Sequence, residues 1–292
     1  MRDQAESLRA LASHTRRKAL SRSGNSTCRV YAVTSGKGGV GKSIFSLNTA
    51  ITFAAMEERV LLFDADLGLP NLDVLLGITP TFTLQHYLME RVPLEDILIK
   101  GPGGITILPG GSGIYELVNL GERDVLRILE DLRRLEFAFD RIIFDTAAGI
   151  SSAVIRFCSA ADETILVVMA EPTSIVDAYS TLKLIWNEFS DAQVKVVVNR
   201  AVSQTVAKEA YAALAQVVHR YLHRDLELLG IIPDDSQVEA TVRAQVPLVL
   251  RSPKSAAGSR IRHIAQTMLH GKEGMARHSH FFDRIFPFIQ RK

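Results

Sequence analysis

Apolar residues in this chain follow two spacings. Short runs dense in Val, Ile, Leu and Phe predict strands over 29–34, 59–64, 104–108, 141–145, 163–169, 194–199 and 226–232. Between them, apolar positions recur at helical spacing over 43–55, 123–135, 174–189 and 207–222. Short β-rich runs alternating with helices predict an α/β fold: a doubly wound, mostly parallel sheet with helices on both faces and right-handed crossovers. Such sheets hold ligands at the carboxyl ends of their strands, so the polar residues that close each run are the ones to weigh. No internal repeat or low-complexity block interrupts the pattern.

The two ends break it. Residues 1–27 place Ala5, Leu8, Leu11 and Ala12 at helical spacing behind Asp3, a stripe too short to hold a helix alone in water. Residues 21–27 (Ser-Arg-Ser-Gly-Asn-Ser-Thr) have linker chemistry. Residues 271–279 read as a second linker. Beyond it Phe281, Phe282, Ile285 and Ile289 share one helical face, with Phe286 and Phe288 beside it. Arg284, Arg291 and Lys292 are available there for anionic headgroups, while Pro287 should kink or shorten the segment. The other reading of this tail is a segment packed into a groove on its own body. The expected organisation is an arm and linker over 1–27, an α/β body over 28–270, and a linker with an amphipathic tail over 271–292.

Composition narrows the class. At 292 residues, 47% hydrophobic and 23% charged, the chain can bury a full core. No apolar run reaches the roughly 18 residues of a membrane span. The charged N-terminus lacks the apolar core of a secretory signal, so a cytoplasmic protein is expected. Cys28 and Cys158 stand far apart without a C-x-x-C, which fits reduced thiols rather than a disulfide framework or metal knuckle. Arg2, Arg9, Arg16, Arg17, Lys18 and Arg22 outnumber Asp3 and Glu6 in the arm, yet the whole chain is only +2. The remainder is therefore near neutral or slightly acidic, which argues against nucleic acid as the partner.

The first strand, a Gly-rich turn and the first helix enclose Gly36-x4-Gly41-Lys42-Ser43, the spacing of a phosphate loop. Glycines let consecutive amides curl around phosphate oxygens, and the helix that follows points its positive end at the same anion. Lys42 would reach the β/γ-phosphates, and the Ser43 hydroxyl would hold Mg²⁺. Asp145 closes an apolar run ahead of Gly149, the position from which a carboxylate orders Mg²⁺ through its water shell. Asp64 and Asp66 close another; with period two both side chains share a face if the strand persists, one serving the Mg²⁺ shell and the other orienting the attacking water. Asp64 is taken for the metal and Asp66 for the water. The bland alternative for each is an aspartate capping the next turn.

The run Lys37-Gly38-Gly39-Val40-Gly41-Lys42-Ser43, with a second lysine near the loop's start, resembles the deviant phosphate loop of the MinD/ParA ATPases. Phe63-Asp64-Ala65-Asp66-Leu67-Gly68-Leu69-Pro70-Asn71-Leu72-Asp73 resembles their first switch. Asp145-Thr146-Ala147-Ala148-Gly149-Ile150-Ser151 resembles their second, with Ala147 where Pro or Gly is commoner. The likeness runs through roughly residues 29–270 and implies slow, Mg²⁺-dependent ATP hydrolysis. It implies that Lys37 crosses a two-fold interface to the partner's nucleotide, making a homodimer dependent on ATP. It also implies that Asn199 and Arg200, which close a strand, meet the adenine, and that Pro233, Asp234 and Asp235 belong to the loop over the purine.

Asp3-Gln4-Ala5-Glu6-Ser7-Leu8-Arg9 resembles the D-Q-A-x-x-L-R arm of the family's flagellar-number regulators. Through Asp3, Gln4, Ala5, Leu8 and Arg9 that likeness implies contact with, and stimulation of, an FlhF-type GTPase. A flagellar transcription activator or switch-complex protein stands as a further partner. The tail, through Phe281, Phe282, Ile285, Phe286 and Ile289, resembles the family's membrane-targeting segment and implies peripheral association with the inner face of the cell membrane in the ATP state. The alternatives are a division-site or cargo-positioning ATPase, which the arm argues against. A reductase of the nitrogenase-iron-protein kind would need paired cysteines, for which Cys28 and Cys158 are poorly placed.

Overall fold

The computed structural model describes residues 28–66, 68, 71–89, 91–111 and 122–270. The arm and tail residues singled out above lie outside the described residues. In β1 (Arg29–Ser35) Val30 and Ala32 enter one core while Tyr31 and Val33 enter another. The same parity splits β5 (Arg141–Ala148), with Ile142 and Phe144 opposite Ile143, and β6 (Glu163–Met169), with Leu166 and Val168 opposite Ile165 and Val167. Strands apolar on both faces must be covered on both faces.

Among the described residues the sheet has eight strands in the order β3-β4-β2-β5-β1-β6-β7-β8. The remaining strands are β2 (Val60–Ala65), β3 (Ile99–Lys100), β4 (Thr106–Leu108), β7 (Val194–Ala201) and β8 (Glu227–Pro233). Every pairing is parallel except the edge pair of β3 with β4. The expected doubly wound sheet is therefore present, with one short antiparallel edge that the apolar pattern did not predict.

One face is covered by α1 (Lys42–Ala55), α2 (Leu72–Leu76), α9 (Leu248–Arg251) and α10 (Ala256–His270). The other carries α4 (Glu122–Leu135), α5 (Ser152–Ala160), α6 (Pro172–Glu188) and α7 (Gln204–Leu222). Two shorter helices, α3 (Leu84–Leu88) and α8 (Ser236–Arg243), complete the set described. Phe63 of β2, Phe144 of β5 and Phe157 of α5 lock the second face, with ring centroids 5.3–5.8 Å apart. Such edge-on contacts add about 0.5–1.5 kcal/mol each beyond burial and fix how β2 sits beside β5. That register matters for the chemistry, because it sets two carboxylates side by side.

Candidate nucleotide and metal site

The turn after β1 opens α1 with Gly41 as its N-cap at φ 90°, in the left-handed region, and no side chain caps the first turn. The leading amides of α1 are left to a ligand, and an anion is what a helix N-terminus attracts. Gly36 meets a different constraint. A Cβ there would collide with the backbone of Asp177 in the second turn of α6, so only glycine lets β1, the loop and α6 approach this closely. Lys42 is the first residue of the helix and is buried, whereas Lys37, Gly38 and Gly39 are exposed. Ser43 follows Lys42 in the same helical turn.

Under the loop, Asp64 and Asp145 are register partners on β2 and β5. Lys42 Nζ lies 3.3 Å from Asp145 Oδ1, and the buried Ser46 Oγ, one turn further along α1, lies 3.0 Å from the same oxygen. Asp64 Oδ2 accepts from the backbone amides of Asn71 and Leu72, 3.1 Å each, and so ties the end of β2 to the start of α2. Asp64 Oδ1 and Asp145 Oδ2 are buried with no partner. Burial, and then the Asp145 carboxylate beside it, raise the Asp64 carboxyl well above the ordinary carboxylate value. Two adjacent carboxylates, each with an oxygen left without a partner, have the chemistry to attract a cation. The all-oxygen donors suit a hard ion such as Mg²⁺, which uses one or two carboxylates and completes its shell with water and phosphate.

Asp66 falls one residue beyond the end of β2, so the strand does not carry it onto the same face as Asp64 by simple alternation. It is half-buried, and Leu67, Leu69 and Pro70 of the stretch that follows lie outside the described residues. The end of β5 is stitched to β1: Thr146 Oγ1 donates to the Val33 carbonyl at 3.0 Å and Gly149 N to the Ser35 carbonyl at 2.8 Å. Lys37 points to α6, with its Nζ 3.2 Å from Glu171 Oε2 and 3.5 Å from Thr173 Oγ1. Both partners of that ion pair are about half exposed, so it holds the lysine weakly, by at most about 1 kcal/mol.

At the ends of β7 and β8 the residues divide. Asn199 is buried and donates Nδ2 to the Val40 carbonyl at 2.7 Å, bracing the phosphate loop directly. Arg200, at φ 53°, pairs with Asp234 at 3.5 Å across the ends of β7 and β8, and Pro233 closes β8. Asp235 is engaged elsewhere. Its Oδ1 accepts from Gln237 N of α8 at 3.0 Å and its Oδ2 from Ala257 N of α10 at 2.9 Å, so it caps two helices at once. Burial pushes its carboxyl up, but the amide donors of Ala257 and Gln237 outweigh burial and hold it below the usual value. Ser46 was not among the sequence candidates; its signal was spacing, one helical turn beyond Lys42, where its hydroxyl meets the strand-end carboxylate.

A phosphate-cradling loop over paired strand-end carboxylates on a mostly parallel sheet defines a P-loop nucleotide-binding protein. The profile of the CobQ/CobB/MinD/ParA nucleotide binding domain matches residues 31–248. The chain belongs to that family. It is 40% identical over 238 residues to the antiactivator FleN of Pseudomonas aeruginosa, covering 82% of this chain and 85% of that one. It is 29% identical over 271 residues to the flagellum site-determining protein YlxH of Helicobacter pylori, covering 89% and 90%. The structure of the MinD cell division protein of Aquifex aeolicus superposes with a TM-score of 0.69 at 28% identity, covering 83% of this chain and 97% of that one.

Proposed function

We propose that this chain is a Mg²⁺-dependent ATPase that works as a dimerising switch and sets flagellar number and placement. The observation that carries the reading is the buried Asp64–Asp145 pair with two orphaned oxygens beneath a loop bearing both Lys37 and Lys42. The likeness to FleN and to a flagellum site-determining protein supports the biological role. The likeness to MinD keeps a division-site ATPase as the second reading, at lower identity.

In this reading Gly36, Lys37, Gly38, Gly39, Val40, Gly41, Lys42 and Ser43 hold the triphosphate. Mg²⁺, when bound, neutralises phosphate charge, and Ser43, Asp64 and Asp145 are the residues that hold it. Lys42 leaves Asp145 for the phosphates, and Ser46 keeps Asp145 aimed once it does. Asp66 orients the attacking water. Asn199 fixes the loop from below while Arg200, Pro233 and Asp234 frame the base. Lys37 gives up Glu171 when a second copy brings a triphosphate opposite, an exchange that the weakness of the ion pair makes easy. Two facing basic loops repel without that anion, so the dimer depends on ATP.

The arm over 1–27 engages an FlhF-type GTPase, the body over 28–270 senses nucleotide, and the tail over 271–292 seats the dimer on the membrane. One tail binds marginally and two bind by avidity. The association proposed is peripheral; no helix among the described residues is long and apolar enough to cross a membrane. Deleting residues 1–12 is expected to leave ATP hydrolysis unchanged and to abolish stimulation of an FlhF-type GTPase in a coupled phosphate-release assay. Undiminished stimulation would remove the arm from the account.

A further inference from the structure

The near-neutral balance of the chain outside its arm conceals a segregation. Residues 28–235 hold 18 Lys and Arg against 27 Asp and Glu, whereas residues 236–270 hold Arg243, Arg251, Lys254, Arg260 and Arg262 against Glu239 alone. These last residues form α8, α9 and α10, with the joint between α9 and α10 carrying Lys254. Glu239 is spent on Arg243 in the same helix at 3.7 Å. Arg243, Arg251 and Lys254 are exposed, and Arg251 reaches back over α8 to the Ala240 carbonyl at 3.4 Å, so the cation at the end of α9 lies against α8.

Aliphatic side chains break the surface among those cations: Val242 is 37% exposed, Val246 38% and Leu250 46%. α10 is anchored at its start by Asp235 and near its end by the Met268 carbonyl, which accepts from Tyr31 Oη at 3.4 Å. It then leads directly into residue 271, the start of the tail.

Cations interleaved with exposed aliphatics, on a body that is otherwise acidic, have the chemistry of a surface that lies on an anionic bilayer. Arginine and lysine reach headgroup phosphates while Val and Leu sink to the acyl boundary. An acidic body with one basic face is also oriented by the field of such a surface before it touches. Neither end of the chain fits as the cover, because the arm and the tail both carry a surplus of positive charge. Nucleic acid would use the cations but leave Val242, Val246 and Leu250 idle.

We propose that the α8–α10 face is a second membrane contact, one that binds anionic headgroups directly and holds the ATPase body in a fixed orientation beside its tail. This rests on the membrane association proposed above. Each cation near an anionic surface is worth about 1 kcal/mol, or about fivefold in partitioning.

The test uses the 292-residue chain with Mg-ATP and co-sedimentation with phosphatidylcholine vesicles, with and without phosphatidylglycerol. Arg251→Gln with Lys254→Gln is expected to weaken binding to the phosphatidylglycerol vesicles roughly ten- to thirtyfold. ATP hydrolysis and binding to pure phosphatidylcholine should not change, and Arg251→Lys should bind as wild type. Lys254→Glu alone, in a loop, serves if the double variant fails to fold. Undiminished binding by these variants, together with loss of binding in a chain ending at His270, would overturn the proposal while leaving the tail-based reading intact. No binding of wild type to phosphatidylglycerol vesicles would overturn both. If the variants instead lose retention of a DNA duplex and keep vesicle binding, the face reads nucleic acid and the proposal falls.

Discussion

Replacing Asp64 by Asn should make the nucleotide-free protein more stable and the ATPase poorer. Asp64 and Asp145 are register partners on adjacent strands, and neighbouring strands lie about 4.8 Å apart. Two unit charges about 5 Å apart at an effective dielectric of about 20 repel by about 3 kcal/mol. Lys42 acts on both carboxylates and offsets part of this, so the recoverable gain is about 1–2 kcal/mol. The two amide bonds from Asn71 and Leu72 go to one oxygen, Oδ2, which an asparagine carbonyl can occupy. The substituted atom is the orphaned Oδ1, so no existing bond is lost.

The wild type carries the cost either as repulsion or as proton uptake, and the amide removes it in both cases. Because the folded-state pKa of Asp64 is raised, the folded state keeps a proton that the unfolded state releases. Wild-type stability should therefore fall as pH rises from the ordinary carboxylate value towards that raised pKa, and the advantage of Asp64→Asn should widen over the same window. Urea unfolding followed by circular dichroism, without Mg²⁺ and nucleotide, reads this directly. An Asp64→Asn protein that is no more stable than wild type at unchanged m would refute the electrostatic reasoning. With Mg-ATP added the ranking should narrow or reverse, since the variant has lost a carboxylate for the ion.

Two further substitutions probe the site's supports. Ser46→Ala removes one of the two groups holding Asp145 Oδ1 and should lower kcat about tenfold with little change in KM, measured by steady-state ATPase assay. Asp235→Ala should cost about 1–2 kcal/mol, since two helix N-termini lose their acceptor. The depressed pKa of Asp235 gives stability that is present above the ordinary carboxylate value and lost as pH falls through the folded value, so thermal melts of the variant should be flatter on the acid side.

Much of this was legible in the chain because parity and spacing carry it. The parallel sheet followed from apolar runs such as 163–169, whose residues are buried on both faces, and the phosphate loop from glycines placed between a strand and a helix. What escaped depended on contacts between distant residues. β3 is two residues long and owes its existence to hydrogen bonds with β4, which no periodicity reports. Asn199 and Asp235 stood at the right strand ends, yet their side chains were claimed by Val40 and by the starts of α8 and α10. Asp66 would share the face of Asp64 only if the strand ran on to it, and β2 ends at Ala65. The basic face of α8–α10 was hidden by averaging charge over the whole body.

The most direct test of the switch is the mass of the protein in solution with each nucleotide. Asp66→Ala, which should bind ATP without hydrolysing it, is predicted to double in mass with Mg-ATP and stay monomeric with Mg-ADP. Adding Lys37→Ala should abolish the ATP-bound dimer. Equal mass with either nucleotide, or a dimer indifferent to Lys37, would contradict the account.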